Sequence, residues 1–250
     1  MGMGGDVLNM FSALHIAILI ILCFVAVLIA WLLRGISEKT LVRLLFALGI
    51  ALATLELNKQ LYMYYEVNNG RYDWAYFPFQ LCSVPIYLCL LIPVMGPKLR
   101  SASLTFMASY TLLSGTAALI FPKDFINAGL PLAVHGFVWH GILILISLLI
   151  IFSHSADLSL KGFGRASLLF LACCIIALGI NMAVEPLMSQ SIGFKRNFAA
   201  MFYLNPYHIS PQPIVDTIQK STSIALGLVL YVCSITAVAG LICAVQKRFD

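Results

Sequence analysis

Seven stretches of this chain stay apolar for about 20 residues each, the length at which a helix crosses the hydrocarbon core of a bilayer. They cover about 14–33, 41–64, 77–95, 103–121, 132–152, 165–186 and 213–245. Of 250 residues 61% are hydrophobic and 10% charged, whereas a soluble domain carries roughly 25% charged residues. An ordinary cytosolic fold is excluded. The expected architecture is all-α: a polytopic bundle of seven transmembrane helices forming one domain over 1–250. The over-long seventh stretch is expected to lift its first turns above the membrane, with Pro213 in the first helical turn.

The net charge of +5 does not indicate nucleic acid, because the basic residues sit in short loops between apolar runs, where they fix orientation. Arg34, Lys39, Arg43, Lys98, Arg100, Lys161, Arg165, Lys247 and Arg248 make nine on one side. Arg71, Lys123, Lys195, Arg196 and Lys220 make five on the other. The richer side is expected to be cytoplasmic, which puts the N-terminus outside and the C-terminus inside. The N-terminus lacks a basic region and cleavage site, so the first apolar run is expected to be retained. The seven cysteines show no zinc-type spacing, and neither a disulfide scaffold nor a structural metal is expected. The absence of N-x-S/T sequons is compatible with a bacterial plasma membrane protein.

Ionisable groups inside spans are costly and mark candidate sites. The second span carries Glu56, Lys59 and Gln60 on one helix face. The third opens with Gln80, Cys82 and Ser83, the fifth holds His135 and His140, and the sixth ends with Asn181 and Glu185 one turn apart. Asn197, Asn205 and His208 follow in a loop. On the expected topology all of these share the outer layer, with Cys82 and His140 roughly 8–12 Å below the boundary at the helical rise per residue. That asymmetry argues for a pocket opening to the outer leaflet rather than an end-to-end pore.

Each group also has a plainer reading. A lone Cys82 is a small packing residue, His140 can bond a neighbouring carbonyl, and Glu56 with Lys59 can be a structural ion pair. Glu185 has a cation to find, while Asn197, Asn205 and His208 satisfy loop backbone. His15 and His154 look incidental. His135 and His140 stand about 140° apart on a helix, so they do not converge on one metal. No GxSxG, HExxH, phosphate loop or Rossmann fingerprint occurs. A thiol with a neighbouring histidine is an acyl-transfer device, with Glu185, Glu56 or Asn181 available to orient the imidazole and Lys59 to meet a lipid phosphate.

Four segments carry a family resemblance: FPFQLCSV at 77–84, GTAALIFP at 115–122, FVWHG at 137–141 and NFAAMFYLNP at 197–206. In order and spacing they resemble the bacterial YwaF-like integral membrane proteins, a group similar to the eukaryotic transmembrane protein 164 family. Those relatives are acyltransferases that move a fatty acyl chain from a phospholipid to a lyso-ether-phospholipid with a Cys and a His. Androgen-induced hydrolases, more distant, use a Thr instead. The resemblance implies Cys82 as nucleophile and His140 as base. It departs at Gln80, where a histidine is expected, so an acid–base role there falls away.

The leading expectation is a lipid acyltransferase or acyl-ester hydrolase working through a Cys82 thioester, with phospholipid and lysophospholipid substrates and no cofactor. Gln80, Ser83 or a backbone N–H near Pro85 would stabilise the oxyanion. Two alternatives stand: a binder or transporter of a small solute using Glu56, Lys59 and Glu185, and a structural protein whose polar groups join helices.

Overall fold

The computed structural model describes residues 9–189 and 198–248, and the regular structure among them is helical. Helix α1 (Ala13–Leu32) starts where the Ser12 hydroxyl accepts the His15 N–H, and α2 (Glu38–Tyr62) where Ser37 accepts that of Thr40. Both hydroxyls satisfy a donor that the first turn leaves free. A π-turn (Met63–Val67) and a 3-10 turn (Trp74–Tyr76) lead to α3 (Val84–Leu91), which a 3-10 turn extends to Val94. Helices α4 (Pro97–Phe106) and α5 (Leu112–Ile120) form one rod joined by a π-turn at Met107–Thr111. The short α6 (Lys123–Ile126) precedes α7 (Leu130–Phe152), which follows Gly129 at φ 100° with a proline in its first turn. The chain ends with α8 (Leu160–Ser189), α9 (Pro213–Ser221) and α10 (Ile224–Gln246).

Six helices among the described residues are long and apolar enough to cross a membrane: Ala13–Leu32, Glu38–Val67, Pro97–Ile120, Leu130–Phe152, Leu160–Met188 and Ile224–Gln246. The expected third span, 77–95, differs. Only Val84–Val94 is helical there, about 16 Å of helix against a core of roughly 30 Å. Two prolines account for this. Pro78 interrupts the apolar run, and Pro85, lacking an N–H, is tolerated only in a helix's first turn, which is where α3 begins. The expected seventh span also divides, at Thr222–Ser223. Its first part, α9, folds back so that the Gln219 side chain covers Gly227.

The α4–α5 rod and α7 have the most buried apolar windows, 61% and 56%, against 17% for α1 and 11% for α10. The first two therefore form the centre, and α1 and α10 face lipid. Lipid supplies no hydrophobic drive between helices, so close packing and hydrogen bonds must hold them. The π-turn provides acceptors for this. Ser147 Oγ donates to the carbonyl of Met107 (2.8 Å) and Gln246 Nε2 to that of Ala108 (2.8 Å), tying α7 and α10 to the rod. Tyr110 is fully buried, bonded to Ser167 and stacked on Phe106, Phe163 and Phe170.

His15 is not incidental. It is fully buried, its Nδ1 accepts the Phe11 N–H, and its Nε2 therefore donates to the Leu119 carbonyl at 2.9 Å, pinning α1 to the end of α5. At the opposite end of the bundle a cavity of about 300 Å³ opens beside Glu38, Arg100 and His154. It lies roughly 27 Å along α2 from Glu56 at the helical rise and takes no part in the polar layer.

Helices α2 and α3 touch backbone to backbone at Gly49, where an added Cβ would stand 2.8 Å from Cys89 Cβ and 3.1 Å from the Leu90 nitrogen. Gly49→Ala is expected to destabilise the bundle by about 1–3 kcal/mol through overpacking. Gly179→Ala, with open space at the same position, is expected to be neutral or stabilising. Thermal unfolding of the two variants in detergent checks the contrast.

Candidate functional site

Cys82 lies in the turn that starts α3. The N–H groups of Ser83 and Val84 both donate to the Gln80 carbonyl, at 2.8 and 3.2 Å. Ser83 is buried and Cys82 half-buried. Cys82 thus lies one residue before the Ser83 N-cap of α3. The Cys82 carbonyl is held by the indole Nε1 of Trp139 on α7 at 3.3 Å. From Cys82 to Val94 is about 18 Å of rise, which leaves about 12 Å of a 30 Å core beyond it.

His140 is buried on the neighbouring face of α7. Its Nδ1 lies 2.7 Å from the Gly136 carbonyl. A carbonyl only accepts, so Nδ1 carries the proton, and the neutral ring presents Nε2 as a lone pair. The plainer reading of His140 therefore holds at one nitrogen and leaves the other free to act as a base. The ring stacks on Phe125 of α6 (5.5 Å), which itself lies over Gly136 so closely that any Cβ there would collide. No hydrogen bond joins Cys82 to His140 among the described residues. Trp139, about 100° from His140 and 40° from His135 on the helix, stacks on His135 at 5.3 Å.

Buried Glu56 is paired with Lys59 (2.8 Å) and accepts from Gln60 Nε2 (2.7 Å), which also donates to the Tyr76 carbonyl. Lys59 and Glu56 lie within electrostatic range of the Cys82 thiol and the His135 ring, and Lys59 of His140 as well. The polar groups of α2, α3 and α7 therefore share one layer. In the adjoining loop, partial burial pushes the Tyr72 phenol up to about 12, with Glu56 and Asp73 adding to it, so this hydroxyl stays protonated.

The remaining predicted residues serve a different purpose. Gln80 Oε1 accepts the Phe202 N–H (2.8 Å) while Nε2 donates to the Ala200 carbonyl (3.1 Å). Asn181 Oδ1 accepts the Met201 N–H (2.7 Å), and its Nδ2 donates to the carbonyls of Met201 and Leu204. Two amides, one from the turn before α3 and one from α8, thus clamp a buried segment whose 3-10 turn at Met201–Tyr203 is irregular, with Phe202 and Tyr203 held in the left-handed region at φ 54° and 58°, unusual for bulky residues. Asn205 closes the segment, donating to Ala199 and accepting from Tyr207 and His208. Glu185 Oε1 lies 2.6 Å from His208 Nε2, with Phe198 stacked on that ring. Gln80 is thereby occupied and not available as an oxyanion donor. Asn197 lies outside the described residues.

Sequence reasoning missed Trp139, Phe125 and the inserted segment. Only the segment left a trace, in the Asn205-Pro206 turn signal. Among the described residues no group of three or more His, Cys, Asp or Glu side chains is arranged to hold a metal ion.

A family profile described as the TMEM164 family matches residues 10–241. Neither a curated protein nor a solved structure matches the chain.

The clamp generates a direct expectation. Replacing Gln80 or Asn181 by Leu strands buried backbone groups, at about 1–3 kcal/mol for each group left unpaired. Hydrogen exchange by mass spectrometry is expected to show lost protection at Met201 and Phe202, with helices α4 and α7 unaffected.

Proposed function

The chain belongs to the TMEM164 family, and from that membership we propose that it is a membrane-embedded lipid acyltransferase or acyl-ester hydrolase acting through Cys82 and His140. The observation that carries this reading is the His140 tautomer. Its Nδ1 is committed to Gly136, which leaves Nε2 as a base in the same layer as a thiol at a helix start. The reaction moves a fatty acyl chain from a phospholipid to a lysophospholipid or to water. His140 Nε2 takes the thiol proton, Cys82 Sγ attacks the ester carbonyl, and the ester C–O bond breaks. The lysophospholipid leaves with that proton, and a thioester remains on Cys82. In the second half the acceptor hydroxyl gives its proton to the same nitrogen and attacks the thioester, and the thiolate is reprotonated. With Gln80 engaged and the Ser83 and Val84 N–H groups committed to its carbonyl, the Ser83 hydroxyl is the remaining oxyanion donor of those expected.

The topology belongs to the same proposal: α3 counts as a seventh, half-length crossing, the N-terminus lies outside and the C-terminus inside, in a bacterial plasma membrane. A second reading, a binder of a small solute or ion, draws on the closed Glu56–Lys59–Gln60 cluster and on the missing Cys82–His140 hydrogen bond. It requires Glu56 substitutions to matter more than Cys82 substitutions, with no covalent intermediate.

Incubation with a defined phospholipid, followed by intact-protein mass spectrometry, separates the two. Wild type is expected to gain a hydroxylamine-sensitive acyl mass that Cys82→Ser lacks. Cys82→Ala and His140→Ala are each expected to abolish transfer while keeping the elution profile of a folded bundle. Full activity in either variant overturns the mechanism.

A further inference from the structure

His135 is a half-buried polar group that the proposed chemistry does not use. Its Nε2 is buried without a hydrogen-bond partner, a costly condition for a ring nitrogen. The ring is held in place by other contacts: it stacks on Trp139 and meets the Leu55 carbonyl on α2. Lys59, one turn beyond Leu55, and Glu56 are its charged neighbours. The helical rise sets His135 about 7.5 Å from His140, toward the start of α7. The Trp139 indole bonds the Cys82 carbonyl, and Cys82 and His135 have Lys59 and Glu56 as charged neighbours in common.

This arrangement has a chemical complement. In a glycerophospholipid the phosphate is separated from the nearest ester by a few bonds of glycerol, on the headgroup side. With the ester at Cys82, the phosphate falls toward the start of α7, between an ammonium and an unpartnered imidazole nitrogen. The Glu56–Lys59 pair is neutral as a unit. No hydrogen bond among the described residues fixes the tautomer of the ring, so the neutral imidazole can carry its proton on Nε2 and donate it to a phosphate oxygen facing Lys59.

Resting on the thioester reading for the position of the ester, we propose that His135 and Lys59 form a phosphodiester subsite that makes the site select phosphate-bearing lipids over neutral glycerides. His135 acts here as a specificity-determining residue through Nε2, while the Trp139 stack fixes its position. A site with polar groups waiting for a partner rejects analogues that lack it far more strongly than an apolar pocket rejects a change of shape.

The test compares a phosphatidylcholine with a diacylglycerol of the same acyl chains, as donors to the full chain in detergent micelles. Wild type is expected to form the acyl-enzyme at least about tenfold more efficiently from the phospholipid. His135→Phe keeps the ring stack and removes the nitrogens, and it is expected to collapse that discrimination through KM for the phospholipid. His135→Gln, whose amide nitrogen reaches the same place, is expected to restore part of it. Equal losses on both donors, or unchanged discrimination, overturn the subsite. A second measurement works without the chemistry. Thermal stabilisation of Cys82→Ser by a dialkyl ether phosphatidylcholine, relative to the dialkylglycerol, is expected to vanish in Cys82→Ser/His135→Phe. If wild type forms no acyl-enzyme but this differential stabilisation is present and depends on His135, the thioester reading falls and the subsite stands. If the differential stabilisation is absent, the subsite falls whatever the acyl-enzyme assay gives.

Discussion

Non-helical backbone inside a membrane protein survives only where its N–H and C=O groups find partners in the protein itself, and this bundle depends on meeting that condition once. The segment around Met201–Tyr203 leaves the helical pattern among buried side chains, with two bulky residues in the left-handed region. Gln80 and Asn181 meet its backbone from opposite sides, each amide using both a donor and an acceptor. Because Gln80 also receives the turn that carries Cys82, the clamp and Cys82 share one rigid piece of chain. Disorder in the segment would be felt at the sulfur.

The same condition operates along the central rod. The π-turn at Met107–Thr111 frees carbonyls that an α-helix would satisfy internally, and Ser147 and Gln246 take two of them. Local irregularity is turned into contact between helices, in a medium where burying apolar surface gives little. The left-over Thr111 hydroxyl, fully buried without a partner, belongs to the same irregular turn.

The sequence made six spanning runs and the Glu56–Lys59 pair legible, because length and helical spacing alone place them. Asn205 was read correctly as a residue that satisfies loop backbone. The half-length α3 was not foreseen, since apolar composition at 77–83 outweighed the two prolines in the reading. Gln80 and Asn181 were assigned to a pocket because polar groups in a span look alike from the sequence; what they bond lies 20 to 122 residues away. His15 failed for the same reason, its partner Leu119 being 104 residues distant. The tautomer of His140 was beyond reach until the Gly136 carbonyl was seen.

The half-length α3 has a mechanical consequence. It fixes Cys82 by a short tether to the Val94 side of the bundle, while six other helices are long enough to run the full thickness. A lipid's ester rides with the leaflet surface, so its distance from that sulfur varies with bilayer thickness rather than with lipid concentration. On the proposed thioester chemistry, a thin membrane would bring the ester plane down to Cys82, and a thick one would hold it away. For a centre built this way, the membrane's own dimension would act as a governor on the rate.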